Sequence, residues 1–281
     1  MVDQSNMHYL KIKRQRTGHC NICGNLASLT WDHVPPQGGV ELTPVQMESV
    51  FAKLSGTHEG FKGIQSQNGV KFTTICKSCN EMMGHKYDIA INEFALSVGR
   101  YLRSQLIFPA IIQHKTRPGA LIRGILGHLI SAKLHPDEAI FDKLAASLVL
   151  NDSMPIPDDI HIFYWIFPYD SSCIVRDVAI ALLTDPSQTI QYCQFIKYFP
   201  IAYLVSNRPA YDDLEELTQF RDAAINDEIS IPIRLREVKP LHWPEMVDDA
   251  RVILGGESMM NAVFASRKTG RPARRTRPSR A

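Results

Sequence analysis

The sequence predicts an α+β protein, and three observations lead to that class. Runs with a helical period and runs with a strand period come in blocks, without the regular strand–helix alternation of a parallel fold. Four of the six cysteines form two C-x-x-C pairs, Cys20/Cys23 and Cys76/Cys79, which would fasten two distant segments together. The last fifteen residues, RKTGRPARRTRPSRA, carry seven cations and no acid. The expected division is a metal-stapled domain over 1–104, a domain of helices and antiparallel sheet over 105–264, and a disordered basic tail over 265–281.

Residues 1–19 are polar and basic and lead into CNICGNLASLTWDHV, which reads as a knuckle turn followed by a short strand. Gly24, directly after the second cysteine, supplies the backbone freedom such a turn needs. LTPVQMESVFAKLSG predicts an inserted helix. Thr43 is its N-cap, Pro44 its first residue and Gln46 completes a capping box. Met47, Val50, Phe51 and Leu54 line one face, and Gly56 ends it. THEGFKGIQSQNG follows as a glycine-rich loop. VKFTTI reads as a strand that delivers the second pair, ICKSCNEMMGHKYD, and a helical pattern runs from about Asn80 to Arg103.

In the second region, PGALIRGILGHLISAKL predicts a helix over Pro118–Leu134 whose small face is made by Gly124 and Gly127. HIFYWIF and SCIVRDVAIAL read as a strand pair joined by a turn at Pro168–Ser171. IQYCQFIKYFPIAYLVS supplies further strands interrupted near Pro200, and PEMVDDARVIL predicts a final helix. Cys173 and Cys193 lie in apolar, strand-like surroundings and read as small core residues.

Composition narrows the class. The chain has 281 residues, 44% hydrophobic and 21% charged, enough for one or two cores. No apolar run approaches the ~20 residues of a membrane span, and the start has no secretory hydrophobic segment. A soluble, cytoplasmic protein is expected. The net charge of +2 conceals an asymmetry: without the tail's seven cations, 24 basic residues face 29 acidic ones. A mildly acidic body with a basic tail suggests that the tail meets a polyanion.

In a chain without an export signal, paired C-x-x-C motifs read as metal ligands before disulfides. Four thiolates from two turns suit a closed tetrahedral zinc site, a staple with no open position for catalysis. A redox dithiol is the competing reading, but the flanking βαβ pattern it needs is missing. If the two pairs meet at one zinc, the strand ending in Asp32-His33 lies beside the helix beginning at Asn80. Adjacent strand residues point to opposite faces. Asp32 and His33 are therefore expected to serve two partners, one of them a second metal and the other the substrate.

DHVPP followed by CKSCN, with a C-x-x-C ahead of the first motif, resembles the HNH (ββα-metal, or His-Me finger) endonucleases of the zinc-stapled kind. The resemblance covers about residues 18–88. It implies a fold of two strands and a helix, with His33 as general base, and Asp32 and Asn80 as ligands of one catalytic divalent cation. The chemistry agrees. An imidazole of ordinary pKa ~6.5 accepts a water proton near neutrality, and a carboxylate with an amide oxygen suits Mg²⁺ or Mn²⁺. The chain departs from the family where Lys71 replaces an asparagine ahead of the last knuckle, with Asn68 three residues early. His85, Lys86 and Asp88 are additional candidates, the first and last for the metal and the second for phosphate. Residues of these types on a helix are more often part of a solvated polar face. His19 is a spare zinc ligand beside four sufficient cysteines. His58, His114, His128 and His161 have no sequence partner that lifts them above background.

The implied activity is metal-dependent phosphodiester hydrolysis in nucleic acid, with DNA as the first expectation. The setting resembles bacterial restriction, mobile-element and anti-phage defence nucleases. A zinc-stapled nucleic-acid- or protein-binding module without catalysis is the alternative. The tail is similar to an AT-hook around Gly270-Arg271-Pro272, but Thr269 stands where that motif has arginine. Arg271, Arg274, Arg275 and Arg277 are expected to meet phosphates as a generic basic tail. The second domain is expected to serve specificity, sensing or assembly, with a regulatory or defence-system partner protein. A single site cuts one strand, so a double-strand cut calls for a homo-oligomer or two encounters.

Overall fold

The computed structural model describes residues 8–55, 61–134, 140–182, 190–209, 211–236, 239–245, 251–255 and 262–267. In chain order, β1 (His8–Tyr9) and β2 (Thr17–His19) precede β3 (Leu26–His33). β4 (Val45–Ser49) runs directly into α1 (Val50–Ser55). β5 (Phe61–Lys62), β6 (Ile64–Ser66) and β7 (Lys71–Cys76) follow. Then come α2 (Lys77–Met83), a π-helical turn (Gly84–Asp88) and α3 (Ile89–Arg103). β8 (Ile111–Thr116) leads to α4 (Pro118–Ser131) and α5 (Ile140–Leu150). The remaining strands are β9 (His161–Ile166), β10 (Ser171–Leu182), β11 (Ile190–Tyr198), β12 (Ile201–Ser206), β13 (Glu215–Glu216), β14 (Ile229–Arg234), β15 (Arg251–Gly255) and β16 (Val263–Arg267). The class is mixed α+β with mostly antiparallel sheets, and no helix among the described residues is long and apolar enough to cross a membrane.

Two sheets carry the architecture. A small one, in the order β2-β3-β7, bears the first cysteine pair before β3 and the second at the end of β7. A large one runs β13-β9-β12-β11-β10-β16-β4-β6, with β15 also paired to β10. Strands β4 and β6 come from the first hundred residues and join strands from the far end of the chain. β16 places residues 265–267 inside this sheet. The rest of the expected tail, with Arg271, Arg274, Arg275 and Arg277, lies outside the described residues.

Four expected elements differ, the first being the glycine-rich loop, which contains β5 paired to β1 and β6 paired to β4. Only Val50–Ser55 of the inserted helix is helical; Thr43 and Pro44 lie in no regular element, and Val45–Ser49, with Gln46, is strand β4. Its alternation buries Met47 and Ser49, and it is hydrogen-bonded to β16 on one edge and β6 on the other. Pairing with a strand more than 200 residues away overrides a local helix signal worth about 1 kcal/mol. Strands β9 and β10 both exist, but they are not partners, since β12 and β11 stand between them. A turn signal says that the chain reverses and is silent about which sheet edge the next strand will take. The Arg251–Gly255 part of the final helix is strand β15, antiparallel to β10; residues 246–250 lie outside the described residues.

Both faces of the large sheet are buried. On one face Tyr164, Ile174, Ile196 and Tyr203 belong to a core that extends to Leu29, Phe72 and Ile75 of the small sheet. On the other, Phe163, Trp165, Phe195 and Leu204 pack with Cys173 and Cys193, as expected for small core thiols. The helix between the sheets is α4, in which every residue from Pro118 to Ser131 is buried. Gly124 and Gly127 give it the expected small face. A Cβ at Gly124 would press on Ile91 and Tyr87, and one at Gly127 on Met83. That close approach carries the end of α4 down onto the cysteine-bearing sheet.

Candidate metal centre and the adjoining Asp-His-Asn cluster

The first knuckle is built by the chain around Cys20 and Gly24. The Gly24 N–H donates to the Cys20 carbonyl at 2.8 Å, and the Cys20 N–H to the Asn25 carbonyl at 2.9 Å. The fold-back puts Gly24 at φ 72, in the left-handed region that glycine enters without strain. The second pair begins where β7 ends, Cys76 capping the start of α2. The four sulfurs lie within 4.8 Å of one another, with Cys23 and Cys76 at 3.9 Å. Tetrahedral zinc at ~2.3 Å from each sulfur places neighbouring sulfurs ~3.8 Å apart. Among the described residues this is the one cluster of three or more His, Cys, Asp or Glu groups so arranged.

The electrostatics fit a cation. A hydrogen bond from the Cys79 thiol, against the cost of burial, brings Cys20 down to about 4. The Cys20 thiolate and burial push Cys79 up, and burial raises Cys23. So the packed sulfurs hold one thiolate readily and resist further ionisation until a positive charge compensates them. His19 is outside the set: its Nδ1 meets the Gly24 carbonyl at 2.9 Å. Asn21, inside the knuckle, donates to the Ile130 and Lys133 carbonyls at 3.0 and 2.6 Å. The end of α4 is thereby tied to the first cysteine turn.

Strand β3 ends in Asp32-His33, antiparallel to β7, with His33 opposite Lys71. The two side chains go opposite ways. Asp32 is buried at 4% exposure and faces α4, where its Oδ2 accepts from Ser131 Oγ at 2.5 Å and lies 3.3 Å from His128 Nδ1. The other ring nitrogen of His128 meets Asp88 at 2.9 Å. Asp88 is the last residue of the π-helical turn, so the extra residue in that turn aims its carboxylate at α4. Burial favours a neutral His128, but Asp88 and Asp32 outweigh it and raise the imidazole to about 10. The resulting Asp32–His128–Asp88 bridge joins β3, α4 and the α2–α3 junction.

This bridge has a pH signature. An imidazolium held in the folded state up to about 10, against ~6.5 in the unfolded chain, gives stabilisation that is complete below pH ~6.5. It is lost as the pH climbs through about 10. The urea midpoint is expected to fall over that window in the wild type, and His128→Gln is expected to lose that part of the fall. Identical profiles for the two would show that the histidine is not held charged.

His33 is half-buried on the opposite face. Its Nε2 is buried without a hydrogen-bond partner, and the Asn68 backbone beside the ring favours the charged form. Burial and the Lys71 cation hold the imidazole below its ordinary value, against Asp32 and the Asn68 backbone. The neutral form therefore dominates at pH 7, with Nε2 as the unused acceptor.

Asn80 sits in the first turn of α2 and donates from Nδ2 to Thr30 Oγ1 at 3.2 Å and to the Trp31 carbonyl at 2.9 Å. A carbonyl acceptor fixes the amide's orientation and leaves Oδ1 as the free acceptor. Asp32 is treated similarly, since both contacts fall on Oδ2 and its Oδ1 has none. One oxygen of each residue thus makes no hydrogen bond, and a carboxylate and an amide oxygen are donor types that a hard divalent cation takes. Of the additional candidates, His85 is exposed, Lys86 donates to Asp152 at 2.7 Å, and Asp88 is engaged by His128.

Sequence reasoning passed over His128 and Ser131. One signal for His128 was available: it is an ionisable residue inside GILGHLIS, an otherwise apolar run that forms a wholly buried helix. Such a group needs a partner, although sequence cannot say which. No protein-family model, curated protein or solved structure matches the chain.

Proposed function

We propose that this chain is a metal-dependent endonuclease of the zinc-stapled HNH type that hydrolyses phosphodiester bonds in nucleic acid, DNA first. The observation that carries this reading is the treatment of Asn80: its amide nitrogen is spent on Thr30 and Trp31 of the strand that ends in Asp32-His33, so its oxygen is the atom left for a ligand. The four cysteines hold zinc as a staple between β3 and α2. Asp32 and Asn80 are the residues that would hold Mg²⁺ or Mn²⁺, through the oxygens left unpartnered. Bound there, the cation would supply charge neutralisation for the scissile phosphate and the leaving oxygen.

The protein's own groups do the rest. Through Nε2, which is buried and makes no hydrogen bond, His33 would take the proton from a water that enters beside it. Ser131 and His128 hold Asp32 by one oxygen, which fixes the direction of the other. A binding module that does not cut is the second reading, and the burial of Asp32 favours it.

One experiment separates the two. Supercoiled plasmid is incubated with zinc-loaded protein and Mg²⁺, Mn²⁺ or neither, alongside Asp32→Asn and Asn80→Ala. Metal-dependent nicking that both variants lose is the expected result. Wild-type protein that binds plasmid, gains no Mn²⁺ beyond its zinc and never nicks would establish the binding module. The setting in restriction or anti-phage defence, and a cytoplasmic location, are proposals that rest on this activity.

A further inference from the structure

A cleft of about 810 Å³ opens where the chain continues from the Asp-His pair. Its floor is laid by both strands that end at His33: Pro35 follows β3, and Gly69 and Val70 precede β7. The Val34 N–H donates to the Val70 carbonyl at 3.1 Å, so these two segments stay paired as they enter it. The opposite wall is the last turn of α3 and the β11–β12 hairpin at Phe199.

The charges in this cleft do not balance. Its acids are Glu41 and Asp170, and Arg267 engages both, at 3.0 and 2.7 Å. That leaves Arg100 and Arg103, one turn apart on α3 and exposed, with no acidic partner among the described residues. The Arg103 guanidinium lies 4.8 Å over the Phe199 ring. Stacking orders the plane and leaves its N–H edge free, the geometry with which arginine takes phosphate. On the same wall the Ser171 hydroxyl is buried without a hydrogen-bond partner. Two exposed guanidiniums without acidic partners, beside a cleft that opens to solvent, suit a phosphate-bearing ligand.

We propose that this cleft binds the phosphodiester backbone of a nucleic-acid strand, with Arg100 and Arg103 on its phosphates. The assignment deepens the nuclease reading and rests on it only for the direction of the strand, which would lead towards His33. Binding itself is independent of cleavage.

The test is anisotropy of a fluorescein-labelled twelve-nucleotide DNA strand with full-length, zinc-loaded protein and no added Mg²⁺ or Mn²⁺, over a series of salt concentrations. The Arg100→Ala/Arg103→Ala double variant is compared with Arg208→Ala, an exposed arginine away from the cleft. The double variant is expected to bind on the order of tenfold more weakly. Its log K against log salt should be shallower by about 1.4, two phosphates at ~0.7 each for single strands. Affinity and slope equal to those of Arg208→Ala would overturn the proposal. Displacement of the strand by ADP well below the strand's own dissociation constant, lost in the double variant, would overturn it in favour of a free nucleotide. Cleavage of the same strand with Mn²⁺ is scored in parallel. Binding that needs Arg100 and Arg103 in a wild type that never cuts would keep the cleft and remove the nuclease reading. Cutting with unchanged binding would remove the cleft alone.

Discussion

Replacing His33 by alanine is expected to lower metal-dependent plasmid nicking by ~10²–10⁴-fold, the range that a positioned general base contributes, while zinc content and thermal unfolding stay close to wild type. The mildness of the structural effect follows from the residue's surroundings. The ring is half-buried at a strand end, and Nε2 makes no hydrogen bond that the fold would lose. The size of the activity loss follows from the same atom. Nε2 makes no hydrogen bond, and burial with Lys71 holds the imidazole below its ordinary value, so it is a neutral acceptor at pH 7. Plasmid nicking, zinc stoichiometry and a thermal melt on one preparation check the claim. Nicking that survives in His33→Ala would mean that another group activates the water, and the role given to His33 would fall.

The second large effect concerns the staple. Cys79→Ser is expected to release zinc, to cost on the order of 5 kcal/mol or more, and to lower the melting temperature by about 10 °C or more. The cost is high because the metal closes two turns that each anchor further structure. The Cys20 turn holds the end of α4 through Asn21, and the Cys76 turn starts the helix that bears Asn80. Without the cation, four thiols remain in contact, and the Cys20 thiolate opposes the ionisation of Cys79. Cys193→Ser is the control, since that thiol is buried in the far face of the large sheet and away from the cluster. It should leave one zinc per chain. Zinc released on unfolding, read with a chromophoric chelator, gives the stoichiometry. A Cys79→Ser protein with wild-type zinc content and melting temperature would show that the cluster is not a metal staple.

Both predictions begin from residues that local sequence made visible, and the reason is spacing. Two cysteines on one tight turn, with glycine after the second, can do few things, and the structure brings all four sulfurs together. The strand before Asp32-His33 and the helix after Cys79 are also set by short-range pattern and by the glycine and cysteine that bound them. The inserted segment shows where this stops. Its caps and apolar spacing described a real local preference, yet Val45–Ser49 became a strand because β16 and β6 supplied hydrogen-bonding edges that no window of fifteen residues contains. The final segment went the same way on β10.

The sequence by itself determined the α+β class, the cysteine cluster, the short strands and helices around it, and the list of groups able to do chemistry. Only the tertiary structure decided how those groups are used. It tied one oxygen of Asp32 to Ser131 and His128, turned the amide of Asn80 so that its oxygen is free, and left one nitrogen of His33 unpartnered. It also brought α3 and the end of β16 to the cleft in which two arginines lack acids. The physical reason is range. Helical and strand periods, turns and cysteine spacing act over a few residues and can be read locally. The partner of a buried charge is set by which distant surfaces pack, and for Asp32 that partner lies on a helix almost a hundred residues further along the chain.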